Sequence, residues 1–191
     1  MEEKFKQTRN QPAELIKVVL YGPESTGKTT LAKQLAAHYN TLWVPEYMRE
    51  YLQKKWDAEK KLVIKEDLIP IAQRQLQLEN EMTKKVNNLL ICDTNLLELK
   101  VYSEYYYDGF CPLEIKQEAT KKNYSIYLLT YIDTPWQADD LRDRPHNREE
   151  MFAIFENELK RNKFPYKILK GNEKERFKQA TTIIDGLLQK K

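Results

Sequence analysis

The chain is short of several things, and each shortage excludes a class of function. Its 191 residues include only two cysteines and two histidines, and 32 basic against 29 acidic side chains leave a net charge of +3. Cys92 closes an apolar run and Cys111 sits in a Gly109-Phe-Cys-Pro112 connection, with no Cys-x-x-Cys pair, so a zinc site is not expected. The charges of both signs are interspersed along helical patterns, as on solvated faces, and no basic stripe points to nucleic acid. The longest apolar stretch, 124–132, is too short to cross a bilayer. Positions 1–11 are polar and lack the apolar core of a signal peptide. The expectation is a soluble, cytoplasmic protein with no membrane or nucleic-acid partner, folded as one domain over 1–191 with a flexible tail at 1–12. Nothing in the sequence bears on oligomeric state.

What is present is concentrated near the start. The apolar run 16–21 leads into Gly22-Pro-Glu-Ser-Thr-Gly27-Lys28-Thr29-Thr30, which opens a helical pattern. Strand, glycine-bounded loop and helix with the spacing G-x-x-x-x-G-K-[ST] form a phosphate-binding loop. Backbone N–H groups and the helix N-terminus wrap a polyphosphate there. Gly22, Glu24, Ser25, Thr26, Gly27, Lys28, Thr29 and Thr30 are the expected ATP contacts, with Lys28 on the β/γ-phosphates and the Thr29 hydroxyl on Mg²⁺.

Five apolar runs (16–21, 41–44, 89–92, 125–132 and 166–169) alternate with helical patterns near 28–39, 46–56, 66–86, 95–107, 113–122, 147–162 and 173–189. That alternation predicts an α/β P-loop NTPase fold, three layers deep, around a five-stranded parallel sheet of order 2-3-1-4-5. Asp67 is expected to cap the third helix. In such sheets functional groups gather at the carboxyl ends of the strands. The second run ends in Trp43-Val-Pro-Glu46-Tyr47 and the third in Cys92-Asp93-Thr94.

Asp93 is the expected magnesium-holding acid; capping the helix that follows is its plainer reading, and the two are compatible. The guanine-binding and switch motifs of GTPases are missing, and Thr94 stands where water-activating ATPases carry Glu. Transfer of the γ-phosphoryl to a bound hydroxyl is therefore favoured over hydrolysis. A kinase of this kind needs a carboxylate to orient the accepting alcohol. Glu46 suits that role, with Asp93 as rival; metal and base roles may fall either way round. An ion pair with Arg49 is the plainer reading of Glu46, and core packing is the plainer reading of Trp43. Residues 134–147 carry Trp136, Asp139, Arg142 and Arg144 between prolines and read as a lid, with Arg142 and Arg144 closing on the phosphates. Surface ion pairs with Asp139, Asp140 and Asp143 are the alternative there. Tyr47, Arg49, Trp136 and Asp139, with Glu46 and Asp93, make up the expected substrate contacts. Gln73, Arg74 and Gln75 are further candidates for polar recognition, and Gly171-Asn172 for the adenine side.

Across these segments the chain resembles the ribosylnicotinamide kinase family, the kinase domain of NadR-type proteins. The resemblance lies in Gly-Pro-Glu-Ser-Thr-Gly-Lys-Thr-Thr at 22–30, Pro-Glu-Tyr-Met-Arg-Glu-Tyr at 45–51, Asp-Thr at 93–94 and Thr-Pro-Trp-Gln-Ala-Asp-Asp-Leu-Arg at 134–142. It implies MgATP-dependent phosphorylation of the 5′-hydroxyl of nicotinamide riboside, giving nicotinamide mononucleotide for NAD synthesis. Better-known members carry Trp directly before the Glu-Tyr pair, where this chain has Pro45. Longer members add a nucleotidyltransferase with a His-x-Gly-His signature, which this sequence lacks, and a DNA-binding head that is not expected here. Kinases of another nucleoside or a vitamin alcohol, and a non-catalytic ATP-binding switch, remain the rival readings.

Overall fold

The computed structural model describes residues 15–137 and 147–190. Five parallel strands, β1 (Ile16–Tyr21), β2 (Trp43–Val44), β3 (Leu89–Asp93), β4 (Ile126–Thr130) and β5 (Tyr166–Leu169), lie in the order β2-β3-β1-β4-β5. The helices are α1 (Lys28–His38), α2 (Tyr47–Glu59), α3 (Leu68–Thr83), α4 (Leu96–Tyr106), α5 (Leu113–Ala119), α6 (Arg148–Asn162) and α7 (Glu173–Leu188). The expected sheet order and every expected element are present, with ends shifted by a few residues.

Strand β1 is central and fully buried, as a strand covered on both faces must be. Its side chains alternate between two cores. Val19 and Tyr21 join the core under α2 to α6, whereas Val18 and Leu20 join the one under α1 and α7. Register Leu20↔Asp93 brings the end of β3 level with the end of β1, where the phosphate-binding loop begins. Among the described residues, no helix is long and apolar enough to cross a membrane.

One local expectation changes. Asp67 does not cap α3; its carboxylate turns back to the Ile64 N–H (2.9 Å), the Tyr51 hydroxyl (2.6 Å) and the Lys55 ammonium. A 3-10 turn, Lys65–Asp67, precedes α3 and consumes that carboxylate in tying α2 to α3. Trp43 packs against the α1/α7 core under the Lys33 ammonium, away from the substrate side, in line with its plainer reading.

Candidate active site

The loop between β1 and α1 is held by a close approach that only glycine permits. Gly22 has φ +138°, and a Cβ there would lie 2.8 Å from Thr130 Oγ1 and 3.0 Å from the Thr130 carbonyl at the end of β4. Thr26 Oγ1 closes the loop onto Pro23 O (2.7 Å) and meets Thr130 Oγ1 (2.7 Å). Gly27, at φ +80°, turns the chain into α1 with no side-chain cap, leaving the first-turn amides facing the loop's interior. Lys28 folds back over the loop, donating to the carbonyls of Gly22 (2.7 Å) and Pro23 (3.0 Å).

At both neighbouring strand ends, another residue takes over the helix-start duty and frees a carboxylate. Glu46 stands at the N-cap of α2 but makes no side-chain cap bond. Gln75, reaching from α3, accepts from the Tyr47 N–H (2.8 Å) and donates to the Pro45 carbonyl (3.2 Å). Gln75 therefore fixes the β2–α2 corner instead of meeting a ligand. After β3, Thr94 adopts φ +69° and Asn95 caps α4 by accepting from the Leu97 N–H (3.1 Å). The capping alternative for Asp93 falls away, and both Asp93 oxygens are buried, facing no donor beyond the neighbouring Thr29 hydroxyl.

A cavity of about 1110 Å³ opens over the loop and Glu46; Asp93, an expected substrate contact, is not part of its lining. Its lining includes the loop itself, 24–30, with Asp133, Thr134, Gly171, Asn172 and Arg176, and apolar and aromatic side chains including Met48, Leu52, Leu68, Tyr102 and Tyr106. The Tyr102 hydroxyl accepts from the Glu24 N–H (3.1 Å), which ties that side chain to the loop. Glu46, Arg49 and Glu98 line it near Lys28. Glu98, in the first turn of α4, was not foreseen: its Oε1 lies 3.3 Å from Lys28 Nζ, and its side chain is 2% exposed. Nothing in a helical pattern marks one glutamate among many; only the meeting of α1 with α4 selects it.

The electrostatics follow from crowding acids in a dry place. Burial raises Glu46 to about 7, Asp93 adds to that, and Lys28 and Arg49 pull the other way. Burial likewise raises Glu98 to about 8, with Glu46 and Asp93 reinforcing it against Lys28. Asp93 is also raised, first by burial, although Thr29, Lys28 and Lys33 favour its charged form. Burial opposes the Lys28 charge, but Glu98, Glu46 and Asp93 overcome it and hold the ammonium above the ordinary lysine range.

Other expected residues divide. Gly22 shapes the loop from beneath, and Glu24, Ser25, Thr26, Gly27, Thr29 and Thr30 line the cavity. Tyr47 is not in the lining; its ring packs against the core beside Tyr51. Trp136 is also outside the lining and faces the Arg148 guanidinium. Asp139, Arg142 and Arg144 lie outside the described residues. Two other arginines stand at the loop. Arg148 donates to Thr134 O (2.7 Å) and Ser25 O (3.3 Å), and Arg176 to Thr26 O (2.5 Å), Tyr131 O (2.7 Å) and Gly171 O (2.8 Å).

A family model described as AAA domain matches residues 17–176. The trifunctional NAD biosynthesis/regulator protein NadR of Salmonella typhimurium is 27% identical over 125 residues, covering 65% of this chain and 30% of the relative. The chain thus spans about a third of the length of that curated relative. A NadR protein solved in complex with NR superposes with a TM-score of 0.69 at 21% identity, over 83% of this chain and 46% of that one. Deoxyadenosine kinase from M. mycoides gives a TM-score of 0.65 at 17% identity, over 90% of this chain and all of the other. Both structures share the fold.

Proposed function

Taking as premise that the chain belongs to the AAA domain family, we propose that it is an ATP-dependent phosphotransferase of the NadR kinase type, with nicotinamide riboside as the acceptor alcohol. The observation that carries the reading is the placement of Lys28 between a phosphate-binding loop and buried carboxylates, at the mouth of an apolar, tyrosine-bearing cavity. The curated relative's role in NAD biosynthesis and the neighbour's complex with NR support that acceptor.

The chemistry then distributes among the residues. The loop amides and Lys28 receive the β- and γ-phosphates, so that Lys28 exchanges two backbone carbonyls for the charge it is built to meet. Glu46, whose helix-capping duty Gln75 has taken, accepts a hydrogen bond from the acceptor hydroxyl and takes its proton as the phosphoryl leaves ATP. A carboxylate raised to about 7 is suited to that exchange near neutral pH. The tyrosines and aliphatic side chains that line the cavity exclude water, which would otherwise compete for the phosphoryl group.

The buried oxygens of Asp93 beside the Thr29 hydroxyl fit a hard cation. Magnesium held there by Thr29 and Asp93 would supply charge neutralisation to the phosphates. Among the described residues no group of three or more His, Cys, Asp or Glu could hold a metal. One or two protein oxygens plus phosphates suffice for magnesium.

The test is ADP release with MgATP across a panel of alcohols including nicotinamide riboside, other nucleosides and vitamin alcohols. Stimulation by nicotinamide riboside above the others, with a phosphorylated product by mass, is expected. Faster turnover with a different alcohol would replace the acceptor; MgATP binding with no stimulating alcohol would replace the kinase reading by a switch.

A further inference from the structure

Glu98 has no part in the transfer just described, yet it lines the cavity. It sits one turn of α4 before Tyr102 and two before Tyr106, whose rings stack at 6.1 Å and 25°. Oε1 faces Lys28, while Oε2 is shielded from solvent without a hydrogen-bond partner. Glu98 thus adjoins Lys28 at the loop and the tyrosines that follow it on α4. An acceptor that rests a ring on those tyrosines and extends an alcohol towards Lys28 passes the Glu98 carboxyl group. A buried oxygen left unpartnered is costly, and a donor on the passing ligand relieves the cost. An apolar linker would leave it orphaned; a hydroxyl would not.

We propose that Glu98 hydrogen-bonds a second, non-reacting hydroxyl of the acceptor and so selects polyols, ribosyl compounds over their deoxy analogues. The proposal rests on the kinase reading of the same cavity and names its specificity determinant. The bond is from the ligand hydroxyl to Oε2, leaving Oε1 with Lys28. A site built to bond a hydroxyl discriminates strongly against the analogue that lacks it, because its own buried group is then stranded.

The experiment compares nicotinamide riboside and adenosine with their 2′-deoxy and 3′-deoxy analogues, by ADP release and by calorimetric binding, in wild-type, Glu98→Gln and Glu98→Asp protein. Wild type is expected to favour ribosyl over at least one deoxy partner by on the order of 10² in kcat/KM. Glu98→Gln should cut that ratio about ten-fold or more, with the loss mainly in acceptor KM, and Glu98→Asp should keep part of it. A wild-type ratio under about three-fold, or a ratio untouched in both variants, overturns the proposal while leaving the kinase reading in place. So does an effect confined to the KM for MgATP, which would make Glu98 a partner of Lys28 alone. Wild-type protein that binds MgATP but neither binds nor phosphorylates any alcohol of the set removes the kinase reading and this one together. Melting curves verify folding; should Glu98→Gln not fold, the wild-type ratio and Glu98→Asp decide.

Discussion

The two ends of the central sheet carry the same chemistry in opposite conditions. At the amino end, Lys17 is buried in β1 and pairs with Glu79 of α3 at 2.9 Å, and the Tyr124 hydroxyl donates to the second Glu79 oxygen at 2.7 Å. At the carboxyl end, Lys28 meets Glu98 at 3.3 Å among Glu46 and Asp93, and the second Glu98 oxygen finds no partner. One lysine–carboxylate cluster is closed and the other is open. A buried pair with its hydrogen bonds complete fixes structure, and taking away one partner strands the other. A cluster with orphaned oxygens beside a cavity is unfinished until ligands complete it. The difference separates a completed cluster from an unfinished one without reference to sequence motifs.

Several measurements would sharpen or break that contrast. Lys28→Ala should lower turnover by on the order of 10²–10⁴, read as steady-state ADP formation with saturating acceptor. Glu46→Gln should lower kcat by on the order of 10²–10³, leaving the KM for MgATP nearly unchanged; full activity would remove Glu46 from its role.

At the closed end the effect should be on stability instead. Glu79→Gln, which strands Lys17, is expected to cost about 3–5 kcal/mol in urea unfolding while turnover per folded molecule holds. Glu98→Gln at the open end should cost much less or even stabilise the empty protein, since it replaces a carboxyl group that holds its proton to about 8 and whose second oxygen has no partner. Equal losses at the two ends would erase the distinction.

The smallest effect is a pH dependence. In the folded, empty protein Glu46 and Glu98 hold protons to about 7 and about 8, whereas unfolded glutamate releases them near 4.5. Their contribution to stability is therefore full below the unfolded value and lost as pH rises through the folded ones. The melting temperature of the empty protein should fall between about pH 5 and about pH 8, and Glu98→Gln should flatten part of that slope. Asp67, Asp133, Glu156 and Glu158 lie below the ordinary carboxylate range, so the stability they add is lost only in more acid solution. The two effects occupy separate windows.

Much of this architecture was legible in the chain. The run 16–21 followed by Gly22 to Thr30 specifies strand, loop and helix because glycine spacing, an apolar strand and a capless helix start all agree locally. Alternation of apolar runs with helical periods carries the sheet order, since right-handed crossovers leave few alternatives. Glu46 and Asp93 were visible because strand ends are where such folds place their chemistry. The helix-start duties were not. Asp67 had the chemistry of a cap but spends it on α2, and Gln75, an ordinary polar residue of α3, props the Glu46 corner.

The sequence alone decided what lies within a few residues of a given position: the phosphate loop, the strands, the acids at their ends. Only the folded chain decided which of those groups meet across long separations. Lys28 with Glu98, Lys17 with Glu79 and Arg176 with the Thr26 carbonyl are partners separated by 62 to 150 positions. Their pairing depends on how α1, α3, α4 and α7 pack on the sheet. Whether a buried carboxylate is satisfied or left open depends on all of its neighbours at once, and no local pattern encodes that sum.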